Sequence, residues 1–445
     1  MVSKKLAHFS PGRIIFFSIF LTIILGACAL WLPLCRTQPI TFLDLLFTST
    51  SATCVTGLAT VPLDSFTTAG HTVILILTQI GGLGLITLTI FLMSLFVNLG
   101  FTTQLMAVKL LEFDSWTNIK KFIGFIIGFT LIIECIGALC TWYVLAGTHS
   151  WQDALFLSVF HSVTSFCNAG IDLLDGGMQQ YNTNYLMLIS TMLLIIIGGL
   201  GFVTWHELYE QWQHWKETKR HALSLHSKII IYGTLLLIVI PAILIFALEY
   251  NHAFAHMSLP TAGLNALFQS VVARSAGFLS VSLGSLHLTS VFLLLMLAFI
   301  GAAPGSTASG VKITSFVVFL STVKAAIFGK STVTIRGRSI PKDQVLKAMA
   351  IIFLSASWIV TSLFLLLASQ SSIAFWDLFV ESISAFTNLG ISTGITSSLS
   401  ALGKLLLMLN MIIGRIGSLT LILALRARHS DKVEFSYPEE RVILS

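Results

Sequence analysis

Four short stretches of this chain carry residue types suited to holding a bare cation with backbone oxygens. They are Thr53-Cys54-Val55-Thr56-Gly57, Phe166-Cys167-Asn168-Ala169-Gly170, Ala273-Arg274-Ser275-Ala276-Gly277 and Phe386-Thr387-Asn388-Leu389-Gly390. Their closing glycines lie 113, 107 and 113 residues apart. Four near-equal periods mean four copies of one unit. Glycine tolerates φ > 0 and places no side chain in a passage. Grouped around one axis, four copies would bring four sets of carbonyls together, and rings of backbone oxygens can replace the water shell of a K⁺ ion. Each stretch ends a short helix whose C-terminus carries about −0.5 elementary charge, so the preferred cargo is a cation. The competing reading, glycines that merely let helices pack closely, fits one such glycine better than four in register.

A second landmark keeps step with the first. An Ile-Gly pair opens Ile80-Gly81, Ile197-Gly198, Ile300-Gly301 and Ile413-Gly414, at 24, 28, 24 and 24 residues beyond the respective closing glycines.

The elements that position these residues follow from composition. With 55% hydrophobic and only 10% charged residues among 445, against roughly 25% charged in soluble domains, the chain is an integral membrane protein. Long apolar segments at Ile14–Leu34, Phe122–Ala146, Ile229–Leu248 and Val345–Ala368 open the repeats, and others at Thr72–Val97, Tyr185–Trp205, Thr289–Phe319 and Leu402–Leu425 close them. Each is long enough to span a bilayer, which takes about 20 residues. The segments between begin near Asp44, Asp153, Asn265 and Asp377 and are too short to cross. They must enter and return, a course allowed only where the irregular backbone is buried in protein or lines a wet path.

The expected fold is therefore an all-α membrane protein of four tandem helix–pore helix–helix repeats. It has eight transmembrane spans and four re-entrant loops around a pseudo-four-fold pore. The repeats occupy 1–110, 111–220, 221–340 (with a broken second helix) and 341–425, and 426–445 forms a cytoplasmic tail. The basic start (Lys4, Lys5, Arg13) leads into a full-length span, so it reads as a retained helix and not a secretory signal. Of 25 basic residues, all but Arg36, Arg274, Lys312, Lys404 and Arg415 fall at the termini or in three loops, near Lys109–Lys121, Lys216–Lys228 and Lys324–Lys347. Positive loops face the cytoplasm, which puts both termini there. The same asymmetry explains the net charge of +6 without a nucleic-acid partner. The six cysteines lack the spacing of a disulfide framework or a zinc site.

Gly301-Ala302-Ala303-Pro304-Gly305-Ser306-Thr307-Ala308-Ser309-Gly310 interrupts the second span of repeat three with small, polar and helix-breaking residues. Beneath a filter it would act as a movable plug. A Walker A reading fails because Val311 stands where the Lys must be. Arg415, costly at membrane depth, is expected to hydrogen-bond carbonyls of this plug and raise a barrier to K⁺, or else to tether the structure. Arg274 and Glu381 are expected to form a salt bridge that supports the filter from behind. Cys54 and Cys167, each three residues before its glycine, are either targets for thiol reagents or small buried residues. Glu134 and Glu249 read as structural or as proton-relay groups. His206-Glu207-Leu208-Tyr209-Glu210 lacks the second His of a zinc protease.

With these motifs in place, the chain resembles the Trk/Ktr/HKT superfamily of potassium transporters, and within it the KtrB branch of bacterial Ktr systems. The motifs concerned are Thr56-Gly57-Leu58, Asn168-Ala169-Gly170, Arg274-Ser275-Ala276-Gly277-Phe278 and Asn388-Leu389-Gly390. The resemblance covers nearly the whole chain. It implies a homodimer in the bacterial cytoplasmic membrane with one pore per subunit, an intramembrane gating loop, and a cytosolic partner ring that binds adenine nucleotides. It also implies K⁺ selectivity from glycine at all four filter positions, no cofactor held by this chain, and Na⁺ stimulation. A Na⁺-conducting or ion-coupled carrier is the alternative within transport. A membrane enzyme would need a nucleophile–base pair or converging metal ligands, and no such constellation is visible in the sequence.

Overall fold

The computed structural model describes residues 11–83, 116–213 and 222–417. The tail 426–445, and the predicted spans beyond Leu83 and Gly417, lie outside them. Among the described residues are fourteen α-helices. Repeat one contributes α1 (Pro11–Trp31), α2 (Phe42–Cys54) and α3 (Thr68–Gly82). Repeat two contributes α4 (Trp116–Leu145), α5 (Trp151–Phe166), α6 (Tyr185–Gly199) and α7 (Phe202–Gln213). Repeat three has α8 (Leu225–Glu249), α9 (Leu259–Val272), α10 (Leu288–Phe299) and α11 (Ile313–Ile327). Repeat four has α12 (Lys342–Ser369), α13 (Phe375–Thr387) and α14 (Ala401–Ile416). A two-stranded hairpin, Thr334–Ile335 with Arg338–Ser339, separates α11 from α12.

The short second helix of each repeat starts where the sequence supplies a helix-opening signal. Thr41 and Ser150 cap α2 and α5: each side chain accepts the N–H three residues on and donates to the carboxylate there, at 2.6 Å to Asp44 and 2.6 Å to Asp153. In each, an N-cap hydroxyl satisfies an otherwise unpaired N–H of the first turn and is itself held by the carboxylate. In α9 the opening residue is Pro260, whose missing N–H costs nothing in a first turn. Asp377 sits in the first turn of α13, where the helix dipole favours a negative charge.

Burial is inverted relative to a water-soluble protein. Phe17, Leu25, Leu139, Tyr143, Ile243, Phe353 and Phe364 are exposed, whereas Thr48, Ser49, Thr50, Ser51 and Thr53 of α2 are buried. Among the described residues, three helices are long and apolar enough to cross a membrane, within Lys121–Leu145, Leu225–Glu249 and Lys342–Ser369, and a bent pair counted as one span makes a fourth.

That bent pair corrects one expectation. The span predicted as continuous over Tyr185–Trp205 breaks after α6, and α7 leaves at 95°. Gly201 takes φ +83° at the corner. A Cβ there would lie 2.8 Å from Pro304 O, so the interrupted segment of repeat three occupies the space that a straight helix would need.

The repeats close into a ring by one rule. The helix that follows the pore helix in each repeat packs on the pore helix of the next: α3 on α5, α6 on α9, α10 on α13, and α14 back on α2. The last contact carries a salt bridge, Lys404 Nζ to Asp44 Oδ1 at 2.7 Å.

Candidate ion pathway

The four closing glycines meet around a common centre. Each takes positive φ: +93° at Gly57, +62° at Gly170, +73° at Gly277 and +83° at Gly390. A Cβ on Gly57 would lie 2.5 Å from Ala169 O, and one on Gly170 would lie 2.8 Å from Ala276 O. On Gly277 it would strike Leu389 O, and on Gly390 it would strike Thr56 O. Each glycine therefore abuts the stretch of the next repeat, and the cycle closes.

Two residues before each glycine, the chain is also left-handed: Val55 at φ 60°, Asn168 at 59°, Ser275 at 71° and Asn388 at 51°. A β-branched valine in that region is a genuine outlier, and such strain persists only where the surroundings over-determine it. Here the helix ends do so. Thr56 N, Ala169 N and Leu389 N donate to Ser51 O (2.8 Å), Thr164 O (2.8 Å) and Ser384 O (2.9 Å). That is the long bond of a helix C-cap turned by a left-handed residue. In three repeats a pore-helix serine also grips a carbonyl of the repeat's first helix: Ser49 to Ile23 O (2.7 Å), Ser162 to Glu134 O (2.6 Å) and Ser270 to Ile238 O (2.7 Å).

The second landmark has a steric cause. A Cβ on Gly81, Gly198 or Gly414 would run into Thr53 O, Phe166 O or Phe386 O, each four residues before its own repeat's closing glycine. Only glycine lets the second helix approach that carbonyl. Gly301 is the exception: it faces Ser309 O instead.

The reason is the interrupted segment itself. Between α10 and α11, Gly301 N donates to Val311 O (2.8 Å) and Val311 N to Phe299 O (3.2 Å), which ties the ends of the loop together. Its body lies against α6, with Ala303 N on Gly199 O (3.1 Å) and Thr307 N on Gly198 O (3.2 Å). Pro304, Gly305 and Ser306 turn beside Gly201, and Phe202 N donates to Gly305 O (3.1 Å). Ala302, Ala303, Thr307, Ala308 and Ser309 are buried. Side chains of the left-handed residues reach this loop: Asn168 Nδ2 donates to Thr307 Oγ1 (3.2 Å), and Asn388 Nδ2 donates to Ser309 Oγ (2.8 Å). Ser275 Oγ accepts from Ser309 N at 3.3 Å. Thr56 Oγ1 joins the same network by donating to Asn388 Oδ1 at 2.9 Å.

Arg415 bonds as expected to the loop, through Nη1 to Thr307 O and to Ser309 Oγ (3.2 Å), and it also reaches Gly81 O through Nη2. Lys312 Nζ donates to Ala308 O at 2.6 Å.

Other expectations need correction. No ion pair joins Arg274 to Glu381 among the described residues. The Glu381 carboxylate accepts from Ser392 and, at 2.9 Å, from Thr396, so it holds the chain that leaves Gly390. Arg274 turns the other way, its Nη2 lying 3.7 Å from the position of a Cβ on Gly199. Cys54 and Cys167 are both fully buried. Cys54 packs among Phe47, Leu58 and Met411, and Cys167 lies against Gly82 with its thiol 3.6 Å from Gln79 Oε1. Gln79 Nε2 donates in turn to Glu134 Oε2 at 3.2 Å, a structural tie behind the second stretch. Glu207 accepts from Ser224 and Ser227 and anchors the start of α8.

Three residues were missed as partners or as part of the path. The sequence marks Asp44 as a helix start and sets Lys404 apart from the basic loops without linking the two, yet together they close the ring. Burial works to raise the Asp44 pKa, but the Lys404 ammonium and the Thr41 and Thr60 hydroxyls overcome it and hold the carboxyl below its ordinary value. Asp172, two residues past Gly170, lines a cavity of ≈ 210 Å³ together with Gly57, Gly170, Thr48 and Ser51. Its oxygens accept from Leu174 N (3.0 Å) and Met178 N (2.8 Å), and burial lifts its pKa to about 6. An acid so close after a closing glycine was the available signal.

Comparison with known proteins agrees with this geometry. The TrkH family model, described as "Cation transport protein", matches residues 16–436. Ktr system potassium uptake protein B of Bacillus subtilis is 34% identical over 442 residues, covering 98% of this chain and 97% of that protein. The Vibrio alginolyticus protein of the same name is 34% identical over 435 residues, covering 97% and 94%. The potassium/sodium uptake protein NtpJ of Enterococcus hirae is 32% identical over 457 residues, covering 100% and 98%. The crystal structure of the potassium transporter TrkH from Vibrio parahaemolyticus superposes with a TM-score of 0.71 at 21% identity, covering 94% of this chain and 86% of that one, and so supports the fold. All are transport proteins and none is an enzyme. The chain belongs to the TrkH family of cation transport proteins.

Proposed function

We propose that this chain takes up K⁺ through the ring formed by Gly57, Gly170, Gly277 and Gly390, with carbonyls of the four stretches replacing the ion's hydration shell. One observation carries the reading: four glycines at positive φ, each abutting the next repeat's stretch in a closed cycle. The four pore helices point their C-termini at that ring, and their dipoles favour a cation there. The loop 301–310 serves as the gate, and Arg415 bonds to it from repeat four. Transport is driven by the membrane potential, worth about 2.3 kcal/mol per charge per 100 mV. K⁺ is cargo, and the chain needs no cofactor of its own for this.

The names of the Bacillus and Vibrio relatives place them in a Ktr system. We extend that to this chain as a homodimer in the cytoplasmic membrane, with both termini cytoplasmic and a cytosolic nucleotide-binding partner that drives the gate. A second reading, uptake of K⁺ and Na⁺ together, is favoured by the name of the Enterococcus relative.

The test is uptake by the purified full chain in proteoliposomes under an inside-negative potential. Rb⁺ influx competed by K⁺ supports the proposal, and equal competition by Na⁺ supports the second reading. No flux of either ion, with or without the co-expressed partner, refutes both.

A further inference from the structure

On the face from which the pore helices enter, repeat three gathers Glu249, His252 and His287, one potential ligand atom of each lying within 4.8 Å of the others. Glu249 ends α8 and is fully buried. Its Oε1 accepts the backbone N–H of His287 at 2.9 Å, and its Oε2 lies 3.2 Å from His252 Nδ1. The two imidazoles stack with centroids 3.8 Å apart and planes 26° from parallel.

Capping explains only part of this. His287 immediately precedes α10, so a carboxylate on its N–H suits the helix dipole. That role uses the backbone of His287 and leaves its ring unexplained. Neutral imidazole nitrogens are metal ligands.

We propose that Glu249, His252 and His287 form a binding site for a first-row transition-metal dication of the Zn²⁺ type. Two imidazoles and one carboxylate make the three-ligand set that zinc accepts while keeping a fourth position for water. The same nitrogens discriminate against Mg²⁺ and Ca²⁺, which require oxygen ligands. Zinc–ligand bonds of about 2.0–2.1 Å place tetrahedral ligands roughly 3.3 Å apart. The observed spread closes to that by rotation of two exposed histidine side chains, without moving a helix. Metal binding to imidazole and carboxylate competes with protons, so affinity falls as pH drops.

The site has mechanical leverage. Glu249 lies at the end of α8, and His287 immediately precedes the 12-residue α10, whose other end runs straight into the loop 301–310. A metal joining the two fixes α10 against α8, and on the transport reading given above it restrains the gate.

Isothermal titration of the full chain in lipid nanodiscs with ZnCl₂, after chelator treatment, tests the site. The expected result is one site per chain that is insensitive to millimolar Mg²⁺ and weakened at least about 100-fold by His252→Gln/His287→Gln, since even outer-shell partners of a metal are worth about 10–100-fold. The single variant His252→Gln, in an exposed loop, gives a second measure where the double variant elutes abnormally. Absence of zinc binding, or binding unchanged in both variants, overturns the site. Added Zn²⁺ on the pore-helix face should slow Rb⁺ influx in the wild type and spare the double variant. Zinc-insensitive flux in a wild type that binds zinc refutes the restraint on α10. A wild type without flux refutes the transport reading and leaves the titration standing.

Discussion

Gly57→Ala puts the proposed filter to a sharp test, because the structure sets both the strain and the clash. At φ +93° the backbone lies outside the left-handed well near +50 to +70° that other residues reach, which costs about 1–3 kcal/mol. The new Cβ would stand 2.5 Å from Ala169 O, where carbon–oxygen contacts normally sit at about 3.3–3.6 Å. The first stretch must therefore retreat by roughly 1 Å from its neighbour. If the strain falls on the ion-bound state, 1–3 kcal/mol becomes about a 5- to 150-fold loss, at 1.4 kcal/mol per decade.

The assay is initial-rate ⁸⁶Rb⁺ influx into proteoliposomes, with K⁺ and Na⁺ competition curves for each variant. Gly124→Ala is the matched control, since a Cβ at Gly124 meets nothing within 4 Å. The expected result is influx reduced by about 5- to 150-fold, with a narrowed preference for K⁺ over Na⁺, in Gly57→Ala alone. Wild-type influx and preference in a well-folded Gly57→Ala protein would refute the argument that this ring touches the ion.

Three further outcomes follow from other contacts. Arg415→Gln loses charged bonds to Thr307 O and Gly81 O, each type worth about 1.5–3 kcal/mol, so Rb⁺ leak without partner or nucleotide should rise; unchanged leak and unchanged thermal stability together would reduce Arg415 to a bystander. A double-mutant cycle of Asp44→Asn and Lys404→Met, read by thermal unfolding, should return a coupling of about 0.5–3 kcal/mol for this partly buried pair. Because the Asp44 pKa is depressed, that coupling should persist at neutral pH and fade only in acid, as pH falls through the lowered value; zero coupling at pH 7 would contradict the ring closure. Asp172, with its pKa near 6, carries its charge at pH 7.5 and loses it by pH 5, so influx should fall across that range in the wild type and stay flat in Asp172→Asn; parallel profiles would remove Asp172 from the path.

Much of this arrangement was legible in the residue string because it recurs. The closing glycines announce themselves by period, and the partner of Arg415 could be inferred because a basic residue at that depth needs acceptors. What escaped reading depends on direction rather than type. Arg274 and Glu381 look like a pair by charge, but Arg274 is next to a left-handed Ser275 and its side chain goes toward Gly199. The apolar run Tyr185–Trp205 has no break in its hydropathy, and its 95° bend is imposed by a loop more than a hundred residues away in sequence. Val55 is a residue that propensity would keep out of the left-handed region, and only the helix end it terminates puts it there. Asp44 and Lys404 are 360 positions apart, so nothing local marks them as partners.

The left-handed residues also explain why the ring and the loop should act as one device. Repeats two, three and four place Asn168, Ser275 and Asn388 at that position, and each side chain bonds downward to Thr307 or Ser309. Repeat one has apolar Val55 there and makes no such bond, but Arg415 grips both Gly81 O of repeat one and the loop. The loop is thus tied to repeats two, three and four through the residues that shape the ring, and to repeat one through Arg415. Withdrawing it breaks the amide bonds of Asn168 and Asn388, the bond that Ser275 Oγ accepts from Ser309 N and the Nη1 bonds of Arg415, at about 1–3 kcal/mol for each group left dry and unpaired. Opening becomes affordable only if water follows the loop out and takes over those bonds. On the proposed gating role, hydration of the space under the ring and displacement of the loop are therefore one step, and Asn388→Ala, which removes the bond to Ser309 and the one accepted from Thr56, should loosen ring and loop together.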